Sequence, residues 1–306
     1  MVDILLATYN GEKYLKAQIM SILYQTYTDW TLYIHDDGSK DNTVEIIKYF
    51  EKNFPNIIWV NDGISNLGPA GNFMHLLKSS KAQFVCFCDQ DDIWFDNKLE
   101  IMVNAFKGEN MAKPLVMYSQ AIDFYSQDNN KIGRYSSPCK HYSIKDSIFR
   151  NGGVQGCASM FNSSMRDFIN VEHEYVAMHD HILMLSGIIN NGIRYIDIPL
   201  FLYRQHSNNA TTHQPQNLLD YLNILGRNKK VPVVDVSYYK GLKSFYHVYN
   251  KYLDKTDKKW FELYFSMTKK SRIMRCLYIL LYQIPLRGSV LKLLFKIMFR
   301  KYYIIN

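Results

Sequence analysis

An α/β domain, its sheet assembled from strand–helix units, is the fold class that this 306-residue sequence predicts. Three observations predict it. From Asp3 to about Phe106, short β-rich runs alternate with segments of helical period. Polar clusters follow the first, second and fourth of those runs, and in an open α/β sheet ligands bind beyond such strand ends. With 47% hydrophobic and 21% charged residues, the chain can bury a full core and still carry an appendage.

The first strand is read at residues 4–7, after which Leu15, Ile19, Ile22 and Leu23 repeat at helical spacing. A second strand at 31–35 precedes the stripe Ile47, Phe50 and Phe54, and a third is read at 57–60. The fourth, at 84–88, carries Cys86 and Cys88 two apart, on one face, where they read as buried small side chains. Leu99, Met102, Val103 and Phe106 form the next helical stripe. The second half is less regular, with strands read at 115–119, 156–161 and 194–198 and a helix at 180–190 carrying Leu183, Leu185, Ile188 and Ile189. After Gln214 the pattern is helical without a clear strand, so a boundary is expected near His213, dividing the chain into 1–213 and 214–306.

The five cysteines, Cys86, Cys88, Cys139, Cys157 and Cys276, are odd in number and lack zinc-site or disulfide spacing, so a reducing cytosol is the expected compartment. Met1 leads straight into Ile4-Leu5-Leu6-Ala7 without a basic region or cleavage site, and no secretory leader is expected. No run reaches the roughly 18 apolar residues of a membrane-spanning helix. The net charge of +8 is concentrated late. There Arg272, Arg275, Arg287, Lys292, Lys296, Arg300 and Lys301 punctuate large apolar residues, a pattern that suits an anionic membrane surface and equally a basic helical pair packed on protein or on a second copy.

Four clusters carry candidate chemistry. In Asp89-Gln90-Asp91-Asp92, three carboxylates crowd together after a buried strand. Mg2+ or Mn2+ would relieve their repulsion and bridge them to phosphates, whereas a solvated turn capping the next helix would also suit acidic residues. Asp36-Asp37-Gly38-Ser39 could accept hydrogen bonds from a pyrimidine or ribose, or simply form a β-turn. Met178-His179-Asp180-His181 opens an amphipathic helix, where Asp180 could be a general base or a helix cap. His206, in Tyr203-Arg204-Gln205-His206-Ser207-Asn208-Asn209, is a candidate imidazole ligand or a structural histidine.

Together, Leu6-Ala7-Thr8-Tyr9-Asn10, His35-Asp36-Asp37-Gly38-Ser39, Asp89-Gln90-Asp91-Asp92, His179-Asp180 and Tyr203-Arg204-Gln205-His206 occur in the order and spacing of family 2 glycosyltransferases. The resemblance covers roughly Asp3 to Thr212 and implies the GT-A fold, a Rossmann-like mixed sheet flanked by helices, here with a C-terminal helical appendage. Asn66-Leu67-Gly68-Pro69-Ala70-Gly71-Asn72 looks like the family's glycine-containing loop. The resemblance implies that Ala7, Thr8, Tyr9 and Asp37 bind the nucleotide, that Asp89 helps at the ribose and that Asp91 belongs to the donor site. It further implies that Asp92 holds Mn2+ or Mg2+, with Asp91 and His206 as further metal candidates. Asp180 matches the family's catalytic base, with His179 and His181 as the next candidates. Many members carry Glu-Asp where this chain has His179-Asp180, a variant resembling bacterial rhamnosyltransferase-like members that build O-antigen or capsule.

The implied activity is inverting, metal-dependent transfer of a sugar from a nucleotide-diphosphate donor, dTDP-rhamnose or a UDP-hexose, to a hydroxyl of a lipid-linked surface-glycan precursor. The implied setting is the cytoplasm, peripheral at the inner face of the plasma membrane, with no nucleic-acid partner and a homodimer as one option. The alternatives are a nucleotidyltransferase, for which Thr8-Tyr9-Asn10-Gly11 lacks an Arg/Lys-containing phosphate loop, and a noncatalytic carbohydrate-binding protein retaining the fold.

Overall fold

The structure is a computed structural model that describes residues 1–125, 130–135, 143–150, 154–206 and 231–304. Cys139, the boundary expected near His213, and Ser207, Asn208 and Asn209 of the last motif lie outside the described residues.

In chain order the elements begin β1 (Val2–Thr8), α1 (Leu15–Leu23), β2 (Trp30–Asp36), α2 (Thr43–Asn53), β3 (Ile57–Trp59), α3 (Gly68–Leu77) and β4 (Phe84–Cys88). They continue with β5 (Ile93–Trp94), α4 (Lys98–Asn104), β6 (Val116–Tyr125), β7 (Lys131–Tyr135), α5 (Ile144–Ser147), β8 (Ser159–Asn162), α6 (Ser163–Ile169), α7 (His179–Ile189) and β9 (Ile193–Arg204). Among the described residues four helices follow: α8 (Val236–Tyr249), α9 (Lys255–Met267), α10 (Arg272–Tyr282) and α11 (Val290–Phe299). The chain divides into two compact units, one drawn from residues 1–140, 154–172 and 179–209, the other from 141–153, 173–178 and 210–306.

The first unit holds a nine-stranded mixed sheet in the order β3-β2-β1-β4-β8-β6-β9-β5, with β7 on β6, flanked by helices. This is the α/β class the sequence predicts. β1 runs parallel to β2 and β4, with Ala7 opposite His35 and Thr8 opposite Asp36, so their polar ends lie side by side. Every residue of β4 is buried, and Ile4, Leu32, Cys86, Met117 and Met160 share one core with the α1 stripe Leu15, Ile19 and Ile22. Complete burial of each such Leu or Ile stabilises the fold by about 1.5–3 kcal/mol. Asp3, 1% exposed, accepts from Ser80 Oγ and from the Lys81 and Ala82 N–H groups, which sets β4 beside β1.

Three sequence readings need correction. Residues 68–77, whose start was read as a glycine-containing loop, form α3. Gly68, its first residue, takes φ +70°, and Pro69 follows in the first helical turn, where its missing N–H costs nothing. The strand read at 156–161 begins as a 3-10 turn, Gly156–Ala158, and is extended only from Ser159. β5 and β7 were not read at all. β5 is two residues long and exists through its pairing with β9, Ile93 opposite Leu202 and Trp94 opposite Phe201, which no local period announces.

Among the described residues, the second unit is helical. Asp235, Asp254, Ser271 and Ser289 cap the starts of α8, α9, α10 and α11 in turn, each accepting a backbone N–H of the first turn. An aromatic core of Phe245, Tyr249, Phe261 and Tyr264 is buried between them.

Candidate active site

The tips of β1, β2 and β4 are joined by side chains. Thr8 Oγ1 donates to Asp36 Oδ1 at 2.8 Å. The Gln90 amide pairs with the Tyr9 backbone in both directions, Tyr9 N–H to Oε1 and Nε2–H to Tyr9 O, each at 3.0 Å. Gly11 lies under that amide, and any Cβ there would collide with it. Tyr9 itself is 52% exposed, and Ala7 is half-buried.

Asp36 and Asp37 do different work. Asp36 makes the turn, accepting from the Gly38 and Ser39 N–H groups and from Ser39 Oγ. Asp37, 7% exposed, accepts from Leu67 N–H at 2.7 Å and Gly68 N–H at 2.8 Å, and so holds the start of α3. Each Asp37 oxygen retains a second lone pair for a further donor.

The acidic turn leads into β5 and does not cap a helix, since α4 starts later, after Asn97. Because β5 pairs with β9, the end of β9 comes back over the turn. Arg204 donates its N–H to Asp92 Oδ1 at 3.1 Å and its Nε–H to Asp91 O at 2.6 Å. His206 Nε2 stands 2.7 Å from Asp91 Oδ2, and its ring stacks on Tyr14 at 5.2 Å. The structure thus brings Asp91 and His206 together across 115 residues.

Asp92 is fully buried, and its Oδ2 has no hydrogen-bond partner among the described residues. Burial, then the charges of Asp91 and Asp89, pushes its carboxyl well above the usual range. Burial and Asp91 likewise raise Asp89 to about 6. One ligand atom from each of Asp89, Asp92 and Cys157 falls within 4.8 Å of the others. Cys157 is the poor member of that set for a hard cation, because burial lifts its thiol well above its ordinary value and keeps it protonated. The two carboxylates fit Mg2+ or Mn2+, and a buried oxygen lacking a partner is what such an ion satisfies.

A positive charge already stands behind the turn. Lys98 is fully buried, donates Nζ–H to Cys157 O at 2.6 Å and lies 3.9 Å from the centre of the Trp94 ring. Burial lowers its pKa, while Asp92 and the nearby cysteines oppose that shift. Sequence reasoning missed Lys98, Cys157 and Tyr14, and it quoted Gln90 and Arg204 without assigning them roles. A lysine opening a helix reads as exposed, and its burial follows from packing alone.

At the base motif, α7 brings His179 into ring contact with Phe73 at 3.9 Å and with Phe87, two residues before Asp89, at 4.7 Å. His179 is 4% exposed, and burial pushes its imidazole down to about 3. It is shut away among aromatic rings, which argues against it as an alternative base. Asp180 lies in the first turn of α7 and is half-buried, and His181 is 2% exposed.

The model of the family described as Glycosyl transferase family 2 matches residues 3–169. The chain is 31% identical over 217 residues to dTDP-rhamnosyl transferase RfbG of Shigella flexneri, covering 67% of this chain and 72% of that one. It is 28% identical over 243 residues to an Escherichia coli protein named UDP-Glc:alpha-D-GlcNAc-diphosphoundecaprenol beta-1,3-glucosyltransferase WfgD, covering 78% and 90%. Among solved structures it is similar to S. aureus TarS 1-349 in complex with UDP-GlcNAc, with a TM-score of 0.55 and 16% identity over 81% of this chain and 72% of that one, a likeness of fold.

Proposed function

Because the chain belongs to glycosyl transferase family 2, we propose that it moves a sugar from a nucleotide-diphosphate donor to a hydroxyl of a lipid-linked surface-polysaccharide precursor, with a divalent cation and with inversion. Family membership replaces the nucleotidyltransferase alternative. The relative named a dTDP-rhamnosyl transferase favours dTDP-rhamnose as donor, and the relative named for UDP-Glc keeps a UDP-hexose open. That second relative's name specifies a diphosphoundecaprenol acceptor, which supports a lipid-linked acceptor here.

The observation that carries the reading is the buried carboxylate of Asp92, with an unpartnered oxygen, beside Asp89 at the end of β4. Asp92 would hold Mn2+ or Mg2+ with Asp89 in reach of the same point, and Asp91 and His206 are the further candidates. When bound, the cation supplies charge neutralisation to a departing diphosphate. Thr8, Ala7 and Tyr9 at the tip of β1 would receive the nucleoside with Asp37, whose position is fixed by the start of α3. Asp180 would accept the proton of the acceptor hydroxyl as that oxygen attacks the anomeric carbon opposite the leaving group. One such displacement inverts configuration.

Calorimetry of nucleotide sugars with Mn2+ and with excess chelator tests this. Donor affinity is expected to fall in chelator and in Asp92→Asn, with dTDP-rhamnose compared against UDP-glucose. Equal affinity in chelator would remove the cation from the reading.

The second unit supports a membrane-facing role for the tail. On α10, Ile273, Leu277, Leu280 and Leu281 fall on one face and are 47–74% exposed. Among the described residues no helix is long and apolar enough to cross a membrane. An apolar face of this kind, in a unit that also exposes Lys269, Arg287 and Lys301, fits an anionic interface.

A further inference from the structure

We propose that His35, Asp62 and His75 form a second metal site, selective for a borderline transition ion such as Zn2+ and separate from the acidic turn. One ligand atom from each falls within 4.8 Å of the others. His35 is 1% exposed near the end of β2, Asp62 lies in the segment after β3, and His75 is on α3.

The hydrogen bonds around His35 prepare it as a ligand. Its Nδ1 stands 2.7 Å from Asn72 Oδ1, and the Asn72 amide N–H donates to His35 O at 3.3 Å, which fixes the amide's orientation. An amide oxygen only accepts, so Nδ1 carries a proton, and in the neutral form of the ring the lone pair is the one at Nε2. Metal-binding histidines are held in this way, their other ring nitrogen donating to an oxygen that sets tautomer and orientation. Here Nε2 faces Asp62 Oδ1 at 3.6 Å, beyond hydrogen-bond distance.

Asp62 is set from the opposite side. Gly63 takes φ +79°, and the turn it allows lets Ile64 N–H donate to Asp62 Oδ1 at 3.0 Å. His75 Nε2 stands 2.6 Å from Asp62 Oδ2, and the two imidazole rings meet at 4.8 Å between centres. Two ligands on a tetrahedral Zn2+, with bonds of roughly 2.0–2.1 Å, are about 3.3 Å apart. His35 Nε2 lies near that separation from Asp62 Oδ1, at 3.6 Å, whereas His75 Nε2 meets the other oxygen, Oδ2, at 2.6 Å, so binding through one oxygen needs the partly exposed carboxylate to turn between the two rings. A cavity of about 180 Å³, lined in part by His35, Asp62 and Gly63, leaves room for water as the remaining ligand.

Donor chemistry decides the ion. Two imidazoles and one carboxylate suit Zn2+, Co2+ or Ni2+, whereas Mg2+ and Mn2+ prefer oxygen and so belong to the acidic turn. An ion here would tie β2, the segment after β3 and α3 together, next to the Asp37 contacts that hold the start of that helix.

The test uses the tag-free, metal-stripped full chain. Co2+ titration should produce a visible d–d band that Zn2+ displaces stoichiometrically, and Zn2+ should raise the melting temperature. Both responses should persist in Asp92→Asn and be lost in His75→Ala and in Asp62→Asn. These two side chains are partly exposed, so the variants should melt like the metal-free parent. A band and a Zn2+ shift that survive His75→Ala, or a folded parent that gives neither, would overturn the site and leave a histidine–carboxylate hydrogen-bond relay in its place.

Discussion

The two units of the chain solve opposite electrostatic problems. The sheet unit gathers ionisable groups away from water: the buried Asp92 and the half-buried Asp89 stand together at the end of a fully buried strand, with the buried Lys98 behind them. The helical unit leaves apolar surface and positive charge outside, as the stripe from Ile273 to Leu281 shows. Even its arginines are divided. Arg275 donates to the carbonyls of Met267 and Thr268 at the end of α9, and Arg272 to those of Arg300 and Lys301, so both are structural staples. The lesson is that charge count alone does not assign a partner. In the proposed reading a cation would answer the buried carboxyl groups of the sheet unit, and a membrane surface would cover the exposed apolar stripe of the helical unit.

If that division is right, damage in one unit should spare the other's function. The largest effect is expected at Asp180. Asp180→Asn keeps shape and most hydrogen bonding but removes basicity, so transfer should fall roughly 10²–10⁴-fold. Donor affinity should stay within a few-fold, and the melting temperature should hold. A folded variant with near-normal product formation, read alongside donor calorimetry, would show that Asp180 is not the base.

A smaller effect, confined to the other unit, is expected from Leu277→Ser combined with Leu281→Ser. Both side chains are exposed, at 53% and 73%, so folding should be unaffected. Losing roughly 1.5–3 kcal/mol for each side chain the membrane would have buried predicts at least a tenfold drop in co-sedimentation with anionic vesicles. Transfer to a soluble acceptor should not change. Parent protein recovered equally with and without vesicles would break the comparison at its second half.

The sequence showed most clearly what is set locally. The strand runs at 31–35 and 84–88 carry their own β signal, and α1 and α4 follow from apolar residues spaced for one face. The polar clusters at the strand ends were equally visible. What was not visible depends on pairings between distant residues. β5 forms only against β9, and that pairing returns Arg204 and His206 to Asp91 and Asp92. Lys98 lies in its helix's first turn, a position that reads as solvent-facing until Trp94, Phe201 and Cys157 enclose it. Nor did a local pattern announce His35 with Asp62 and His75, since nothing in their spacing of 27 and 13 residues suggests ligands of one ion.

The smallest effect should appear as a pH dependence of stability in the sheet unit alone. His179 is enclosed by Phe73 and Phe87, and both of its ring nitrogens lack partners among the described residues. Burial holds its folded pKa at about 3, whereas an unfolded histidine titrates near 6.5. As pH falls below about 6.5 the unfolded chain takes up a proton that the folded chain refuses until about 3. Its contribution is therefore fully present above the unfolded value and is lost progressively through that window, by about 1.4 kcal/mol per pH unit, or roughly 2 kcal/mol at pH 5. His179→Leu keeps an apolar side chain in an apolar cage and removes the titration. Between pH 7 and pH 5 the parent's melting temperature should fall several degrees further than the variant's. Carboxylates common to both proteins cancel in that difference. Parallel melting curves would mean that the imidazole reaches solvent in the folded state, and His179 would then return as a candidate base.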